Sequence, residues 1–249
     1  MKIPGSHPRY RSLIVREKLI EYFDKGIVAK AGLIAQGRGE CFDYLIGEKT
    51  TDMAKRAIEA SVALILISKK PVISVNGNVA ALVPESVVKL SKITGAMIEI
   101  NLFYRTRTRE KKIYEILKKC GADDILGIEE EKETIPKLES ERRKVSKKGI
   151  FIADTVFVPL EDGDRTETLI KLNKKVITVD LNPLSRTSQN ANITIVDNIV
   201  RAMPLMVKMS AVMKGYSFEK LRNIVENYDN EKNLKDIVFY VVERFSFQK

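Results

Sequence analysis

Short apolar runs alternate along the chain with longer amphipathic stretches, and this pattern predicts strands and helices in regular succession. Residues 71–75 form a continuous, largely β-branched run, which is typical of a strand buried in a parallel sheet. Pro84 stands where a new amphipathic stretch begins, the helix position that tolerates proline best. Further strands are predicted over residues 97–100, 124–126, 155–159, 175–180 and 193–196.

Amphipathic stretches with helical periodicity predict the helices that lie between and around these strands. Residues 27–50 are predicted to be mixed, with short helices around a turn at Gly37-Arg38-Gly39. The order of elements predicts an α/β fold with a Rossmann-like, mostly parallel sheet, helices on both faces, and extra N-terminal and C-terminal helices. Helices are predicted over residues 10–25, 51–68, 106–119, 164–172, 198–213, 217–228 and 231–245.

Domain organisation follows from the same pattern. We expect a Rossmann-like domain over residues 1–213, including the N-terminal helical portion, and a C-terminal helical appendage over residues 214–249. Residues 128–149 are first acidic and then basic, with few apolar positions. That composition predicts either an exposed excursion or a lid over the site.

Composition excludes several classes of protein. The longest apolar run, residues 60–68, falls far short of the ~20 residues that a membrane-spanning helix needs. Residues 1–10 have no signal-peptide pattern, so we expect a cytoplasmic protein. With one histidine, His7, and two cysteines far apart, the sequence argues against a zinc site.

The formal net charge of +10 keeps one alternative open, a basic nucleic-acid-binding protein on an α/β scaffold. The basic stretches at residues 105–112 and 141–148 contain no aromatic residues on which bases could stack. We therefore interpret them as solvated surface and do not expect nucleic acid as a partner.

Nucleotide-binding fingerprints are incomplete. No GxGxxG pattern follows a predicted strand, which argues against a nicotinamide-dependent oxidoreductase. Gly32 and Gly37 have the spacing of a P-loop, but Arg38 and Gly39 stand where that motif requires Lys and Ser or Thr. Arg38 between two glycines could donate two hydrogen bonds to a phosphate, or it could be a surface residue of a plain turn.

Polar clusters follow most of the predicted strands. Because the carboxyl ends of parallel strands meet at one edge of a sheet, these clusters predict one composite site, and their mixed cations, carboxylates and amides suit a phosphorylated substrate. The clusters are Asn76-Gly77-Asn78, Asn101 with Arg105, residues 161–165, Asp180 with Asn182 and Arg186, and Asp197-Asn198.

The acidic cluster at residues 161–165 holds three carboxylates beside one arginine. Such a group is costly to keep together without a further cation, which indicates Mg²⁺ or a substrate ammonium group. Asp164 is predicted to cap the helix that follows, which leaves Asp162 available for chemistry.

Taken together, the motifs resemble the archaeal 4-phosphopantoate–β-alanine ligases, also called phosphopantothenate synthetases. The resemblance covers about residues 1–205 and rests on long motifs in the order of that family. These are SHPRY, GRGECFDYLIGE, PVISVNGNVAALVP, EINLFYRT, LESER, PLEDGDRTE, VITVDLNPLSR and ITIVDNIVRA.

The resemblance implies ATP-dependent ligation of 4-phosphopantoate and β-alanine to 4′-phosphopantothenate in coenzyme A biosynthesis. It further implies release of AMP and pyrophosphate through a phosphopantoyl adenylate, a homodimer, and Mg²⁺ with ATP. Its ATP contacts correspond here to Arg16, Arg38, Asp180, Leu181, Asn182, Arg186, Thr187, Asn198 and Ile199.

Other roles rest on motif position. Asn76, Asn78 and Arg105, together with Lys30, are candidates for binding phosphopantoate. Arg38, Lys30 and Asp162 are the catalytic candidates, with Asp162 as the carboxylate that could bind the β-alanine ammonium group and accept its proton. The sequence does not indicate metal ligands.

Overall fold

A six-stranded parallel sheet forms the centre of the computed structural model, which describes residues 3–246. The strand order is β3-β2-β1-β6-β7-β8, and every neighbouring pair is parallel. The predicted strands are confirmed, with ends that differ by at most three residues. They are β1 Pro71–Val75, β2 Met97–Ile100, β3 Ile125–Leu126, β6 Thr155–Phe157, β7 Lys175–Val179 and β8 Ile193–Ile195.

Helices cover both faces of this sheet, as the Rossmann-like α/β prediction requires. Side chains alternate along each strand, so Val72 of β1 joins one core and its neighbour Ile73 joins the other. The helices are α1 Tyr10–Asp24, α2 Lys30–Ile46, α3 Asp52–Ile67, α4 Gly77–Leu82, α5 Pro84–Thr94, α6 Arg107–Lys119, α7 Gly163–Lys171, α8 Arg186–Asn190, α9 Ile199–Met213, α10 Phe218–Glu226 and α11 Asn230–Ser246.

The strand order reverses between β1 and β6. From β1 the chain continues outward to β2 and β3, and it then returns to β6 on the other side of β1 before continuing to β7 and β8. In open α/β sheets, ligands bind beyond the carboxyl ends of the strands at such a reversal. The topology therefore locates the site near the ends of β1 and β6.

The prediction of short helices around a Gly37-Arg38-Gly39 turn is wrong, because α2 is a single helix that contains all three residues. It ends at Ile46, and its C-cap Gly47 has a positive φ of 85°. One glycine of α2 serves close packing, because a Cβ atom at Gly32 would collide with the side chain of Asn78. Tertiary contact thus outweighs the low helix propensity of glycine.

Residues 128–149 are not an exposed excursion. They contain an antiparallel pair, β4 Lys132–Thr134 and β5 Lys144–Ser146, and a 3-10 helix, Glu141–Arg143. Ile135, Leu138 and Val145 are buried in the same core as Val72. These apolar residues are too widely spaced to give a periodic signal, so the prediction from composition missed their burial.

The C-terminal helices pack against the rest of the fold. Helix α10 contacts α3, and α11 contacts α2, α3 and α8. Leu234 and Ile237 of α11 share a buried cluster with Ile46, Leu181 and Val196. The division at residue 213 stays a prediction, but this shared core joins α11 to the strand-end loops that form the site.

We predict that Ile237→Ala destabilises the whole protein by about 2–5 kcal/mol, the cost of a cavity in a core. Ile237 is fully buried, whereas Phe239 on the same helix is 67% exposed and provides the matched control. Phe239→Ala should change the free energy of unfolding by less than about 0.5 kcal/mol. Chemical denaturation measures both, and equally small effects would contradict a shared core.

Candidate active site

A cleft of about 390 Å³ lies at the carboxyl ends of β6 and β7, between α2 and the loops that follow these strands. It brings together many of the residues that the sequence singled out from separate motifs. Those lining it are Arg38, Asn78, Asp162, Asp180, Leu181, Asn182, Arg186 and Thr187. Because the resemblance implies ATP contacts for most of these residues, we refer to this cleft below as the nucleotide cleft.

Hydrogen bonds fix the loop that follows β7. Asp180 accepts from the backbone N–H of Asn182 at 2.9 Å and from the hydroxyl of Ser185 at 2.5 Å. Ser185 also caps α8 by accepting from the backbone N–H of Ser188 at 3.0 Å. Burial raises the pKa of Asp180, while these hydrogen bonds and the charge of Arg38 act to lower it.

Arg186 links this loop to α7. Its exposed guanidinium lies 2.8 Å from Asp164 and 2.7 Å from Glu167, and the hydrogen bond to Glu167 is the main reason that its pKa is raised. The neighbouring Thr187 is buried and donates to the backbone carbonyl of Glu161 at 3.1 Å. A Cβ atom at Gly163 would lie 2.6 Å from Arg186 Cβ, so the two loops can approach this closely because Gly163 has no side chain.

Arg38 and Asn78 form the opposite wall of the cleft. Arg38 is exposed in the middle of α2. The side-chain amide of Asn78 donates to the backbone carbonyl of Gly32 at 2.9 Å, which ties α4 to α2. An arginine on this wall therefore faces a carboxylate-containing loop across the cleft.

Other predicted ATP contacts lie outside the nucleotide cleft. Arg16 of α1 donates twice to Glu40, at 2.7 and 2.8 Å, and this pairing raises its pKa. Asn198 caps α9 and donates to Asp43 at 2.8 Å, and Ile199 is buried.

The candidates for phosphopantoate differ in their surroundings. Lys30 is the exposed first residue of α2. Asn76 caps α4 and donates to the carbonyls of Pro159 and Leu160 at 3.2 and 3.1 Å, so it joins the ends of β1 and β6. The side chain of Arg105 is only 8% exposed and donates to the carbonyl of Lys144 at 3.1 Å.

Asp162, rather than Asp164, is the N-cap of α7. Its Oδ1 accepts from the backbone N–H of Arg165 at 3.0 Å. The prediction of Asp164 as the cap is wrong because α7 begins one residue earlier than expected, at Gly163, and Asp164 lies exposed in the first turn. The second oxygen of Asp162, Oδ2, lies 3.3 Å from Nη1 of Arg142.

Buried arginines supply the cations that the acidic cluster needs. The side chain of Glu161 is 2% exposed and pairs with Arg165 at 2.6 Å and with Arg142. Arg165 also donates to the hydroxyl of Ser74 at 3.1 Å. Burial lowers the pKa of Arg142 to about 9 and that of Arg165 to about 10.

Arg142 was not a candidate in the sequence analysis, although it closes the LESER motif. It lies in the 3-10 helix between β4 and β5, in a segment predicted to be exposed. Sequence spacing does not indicate that this segment folds back over the carboxyl ends of β2 and β6. The motif itself was the signal that could have identified it.

Glu99 of β2 ties the same segment to the sheet. Its carboxyl group is fully buried and accepts from the backbone N–H groups of Ser146 at 3.0 Å and Ile150 at 2.7 Å. Burial raises the pKa of Glu99 to about 7, although both hydrogen bonds and the charge of Arg165 act in the opposite direction.

Metal-binding clusters and membrane-spanning helices are both absent from the described residues. Within residues 3–246 there is no group of three or more His, Cys, Asp or Glu side chains that could hold a metal ion. In the same range no helix is long and apolar enough to cross a membrane.

Comparisons with known proteins point to one family. Residues 53–244 match the sequence model of the family described as phosphopantothenate/pantothenate synthetase. A protein of Thermococcus kodakarensis named 4-phosphopantoate–β-alanine ligase is 57% identical over 247 residues, which cover 99% of this chain and 94% of that protein. Proteins of the same name from Thermococcus onnurineus and Methanosarcina mazei are 56% and 52% identical over 99% and 97% of this chain, and over 94% of their own lengths.

We predict that Glu99 makes stability depend on pH. Its pKa of about 7 in the folded protein exceeds its ordinary value of 4.5, so between these values only the folded state keeps the proton. The contribution of Glu99 to the free energy of unfolding should be complete below about pH 4.5 and fall by roughly 3 kcal/mol as the pH rises past about 7. Denaturation of the wild type and Glu99→Gln across this range measures it, and a constant difference would contradict it.

Proposed function

The chain belongs to the phosphopantothenate/pantothenate synthetase family, and we propose that it ligates 4-phosphopantoate to β-alanine with ATP, forming 4′-phosphopantothenate for coenzyme A biosynthesis. The observation that carries this proposal is 57% identity over 99% of the chain to a protein named for that ligation. The nucleotide cleft supports it, because it combines an arginine with carboxylate and amide groups at the carboxyl edge of the sheet.

We propose that the reaction has two steps. A carboxylate oxygen of 4-phosphopantoate attacks the α-phosphorus of ATP, and pyrophosphate leaves to give a phosphopantoyl adenylate. The neutral amine of β-alanine then attacks the acyl carbon, its C–N bond forms, and AMP leaves with the bridging oxygen. Because two anions meet in the first step, the site must supply positive charge, and Arg38 is the residue proposed to do so.

Mg²⁺ would arrive with ATP as part of the substrate. Mg²⁺ in such sites is usually held by substrate phosphates and one or two carboxylates, so a cluster of three protein ligands is not required. Asp180 lines the cleft and fits this limited role. When bound, the ion would partly neutralise the triphosphate.

The hydrogen-bonded loop of Asp180, Leu181 and Asn182 is proposed to hold the adenosine, with Arg186 and Thr187 beside it. Asp180 can accept hydrogen bonds from ribose hydroxyls. Arg186 can reach phosphate if it leaves Asp164 and Glu167, both of which are surface partners that water can replace.

Arg16, Asn198 and Ile199 remain proposed ATP contacts. Each would need a change from the arrangement described above, since Arg16 is paired with Glu40 and Asn198 with Asp43.

We also propose a homodimer. The 47% exposed Ile20 of α1 and the 75% exposed Ile34 of α2 support this, because a second chain would remove their apolar surface from water.

For 4-phosphopantoate we propose Lys30 and Asn78 as direct contacts. Lys30 is exposed at the first turn of α2, where backbone N–H groups also favour an anion. Asn76 and Arg105 are proposed to act by holding the loops around the substrate, since both already donate hydrogen bonds to backbone carbonyls.

The proposed role in coenzyme A biosynthesis is consistent with our proposal of a cytoplasmic location.

Asp162 is proposed to bind the β-alanine ammonium group and to accept its proton. An amine of this kind has a pKa close to the ~10.4 of lysine, so it is protonated at neutral pH and must lose a proton before it attacks. Positioning of the amine is expected to contribute more to the rate than the proton transfer.

The test of the function is AMP and pyrophosphate release with ATP, Mg²⁺, 4-phosphopantoate and β-alanine, each omitted in turn. We expect net AMP formation only when both organic substrates are present. ADP in place of AMP would support a ligase but overturn the adenylate. If no nucleotide turns over, the ligase proposal fails, and salt-sensitive binding of nucleic acid becomes the function to test.

We predict that Arg38→Ala lowers turnover by ~10²–10³-fold, the usual cost of removing one donor that stabilises developing charge. The matched control is Arg222→Ala, which removes an exposed arginine from α10, outside the nucleotide cleft. Circular dichroism checks that both variants fold. Wild-type turnover in folded Arg38→Ala would rule out this role.

A further inference from the structure

We propose that β-alanine binds in a second cleft, on the far side of Asp162 from the nucleotide cleft. This amine cleft, about 790 Å³, lies between residues 136–140 and the outer face of α7, with Phe103 at one side. The inference rests on the proposed function and adds to it the path and binding groups of the second substrate.

Asp162 lies at the boundary of the two clefts. Among the described residues, it is the one that lines both the nucleotide cleft and the amine cleft. An amine held by Asp162 would therefore face an acyl group formed in the nucleotide cleft. The rest of β-alanine would extend away from ATP into the amine cleft.

Two buried polar atoms near this boundary have no hydrogen-bond partner among the described residues. They are the hydroxyl of Ser140, which lines the amine cleft, and Nε of Arg142, whose side chain is only 9% exposed. Nη1 of Arg142 pairs with Glu161 and also lies close to Oδ2 of Asp162. Leaving polar groups buried and unpartnered is costly, so the Ser140 hydroxyl and Arg142 Nε indicate a ligand.

Arg142 lies close to Asp162, at the boundary between the two clefts. Its Nη1 lies 3.3 Å from Asp162 Oδ2, and its guanidinium carbon lies 6.0 Å from the centre of the Phe103 ring, which lines the amine cleft. One carboxylate beside one guanidinium is a pair that a zwitterion can match. The ammonium group would bind Asp162, and the carboxylate would bind Arg142 and the hydroxyl of Ser140.

The charge of the amine cleft favours a zwitterion over a phosphate ester. Four carboxylates and two lysines, Lys137 and Lys171, line it, and Arg186 pairs with two of the carboxylates. Cations and carboxylates therefore nearly balance, so the cleft offers no surplus of positive charge to a substrate that carries a phosphate and a carboxylate. β-Alanine brings one ammonium group with its single carboxylate, so it suits the amine cleft better than 4-phosphopantoate or ATP. The four carboxylates are Glu139, Asp162, Asp164 and Glu167.

The experiment compares steady-state kinetics with pyrophosphate exchange. For Ser140→Ala, Arg142→Lys and Asp162→Asn, we expect the KM for β-alanine to rise roughly 10-fold or more, as loss of a charge-assisted partner implies. Exchange of labelled pyrophosphate into ATP needs 4-phosphopantoate but no amine, so it should fall much less than amide formation. Asp162→Asn keeps an N-cap residue of equal preference, which separates lost charge from a damaged helix.

Arg143→Lys is the matched control, because Arg143 lies on the same 3-10 helix as Arg142 but, among the described residues, makes no ion pair with Glu161 or Asp162. Its KM for β-alanine should match the wild type. Should Arg142→Lys fail to fold, Ser140→Ala still decides the question. The KM for β-alanine could be unchanged in folded Ser140→Ala and Asp162→Asn, or only the KM for ATP or 4-phosphopantoate could rise. Either result would overturn the proposal that β-alanine binds in the amine cleft.

The same data separate this inference from the function on which it rests. If the wild type shows neither exchange nor AMP release, the proposed ligation itself is wrong. If the wild type makes the amide and the variants keep its KM for β-alanine, the ligation stands and the amine cleft is rejected.

Discussion

The buried pairing of Glu161 with Arg142 and Arg165 is the contact on which the rest of the site depends. It joins the loop after β6, and the helix α7 that follows this loop, to the earlier segment between β4 and β5. Charges taken out of water are tolerated only when they are paired, so none of these side chains can be removed alone without leaving an unpaired ion. The carboxyl edge of the sheet is thus held by electrostatics as much as by apolar packing.

This pairing also determines the charge that each cleft presents. Arg165 is fully buried and Arg142 nearly so, and the exposed cations that line the nucleotide cleft are Arg38 of α2 and Arg186 of α8. On the other side of Asp162, the amine cleft is lined by four carboxylates and two lysines. The guanidinium groups suit the first cleft to a triphosphate, whereas the carboxylate-rich lining of the second suits an ammonium group.

The sequence predicted the parts of the fold that repeat a simple period. Strands such as 71–75 were evident because both faces of a parallel sheet are buried, which gives a continuous apolar run. Helix α2 was missed because Gly32, Gly37 and Gly39 lower its intrinsic propensity, and the close contact with Asn78 that explains Gly32 is not visible in the sequence. The segment around Arg142 was missed because its buried residues are isolated in a charged stretch, where local patterns carry no information about distant partners.

The site, like the fold, was predictable where a simple pattern carries the information and not where distant contacts decide. Motif position predicted that Asp162 and Asp180 lie close together, because strand ends in an α/β sheet converge whatever the details of packing, whereas Arg38 reaches the same cleft from the middle of α2. It could not separate direct contacts from residues that hold loops, as Asn76 shows by joining the ends of β1 and β6 through its amide. Nor could motif position show that Asp162 caps α7 with one carboxylate oxygen and faces a cleft with the other. In Asp162 the cap fixes the direction of the second oxygen, so a requirement of helix stability also orients the group proposed to receive the amine.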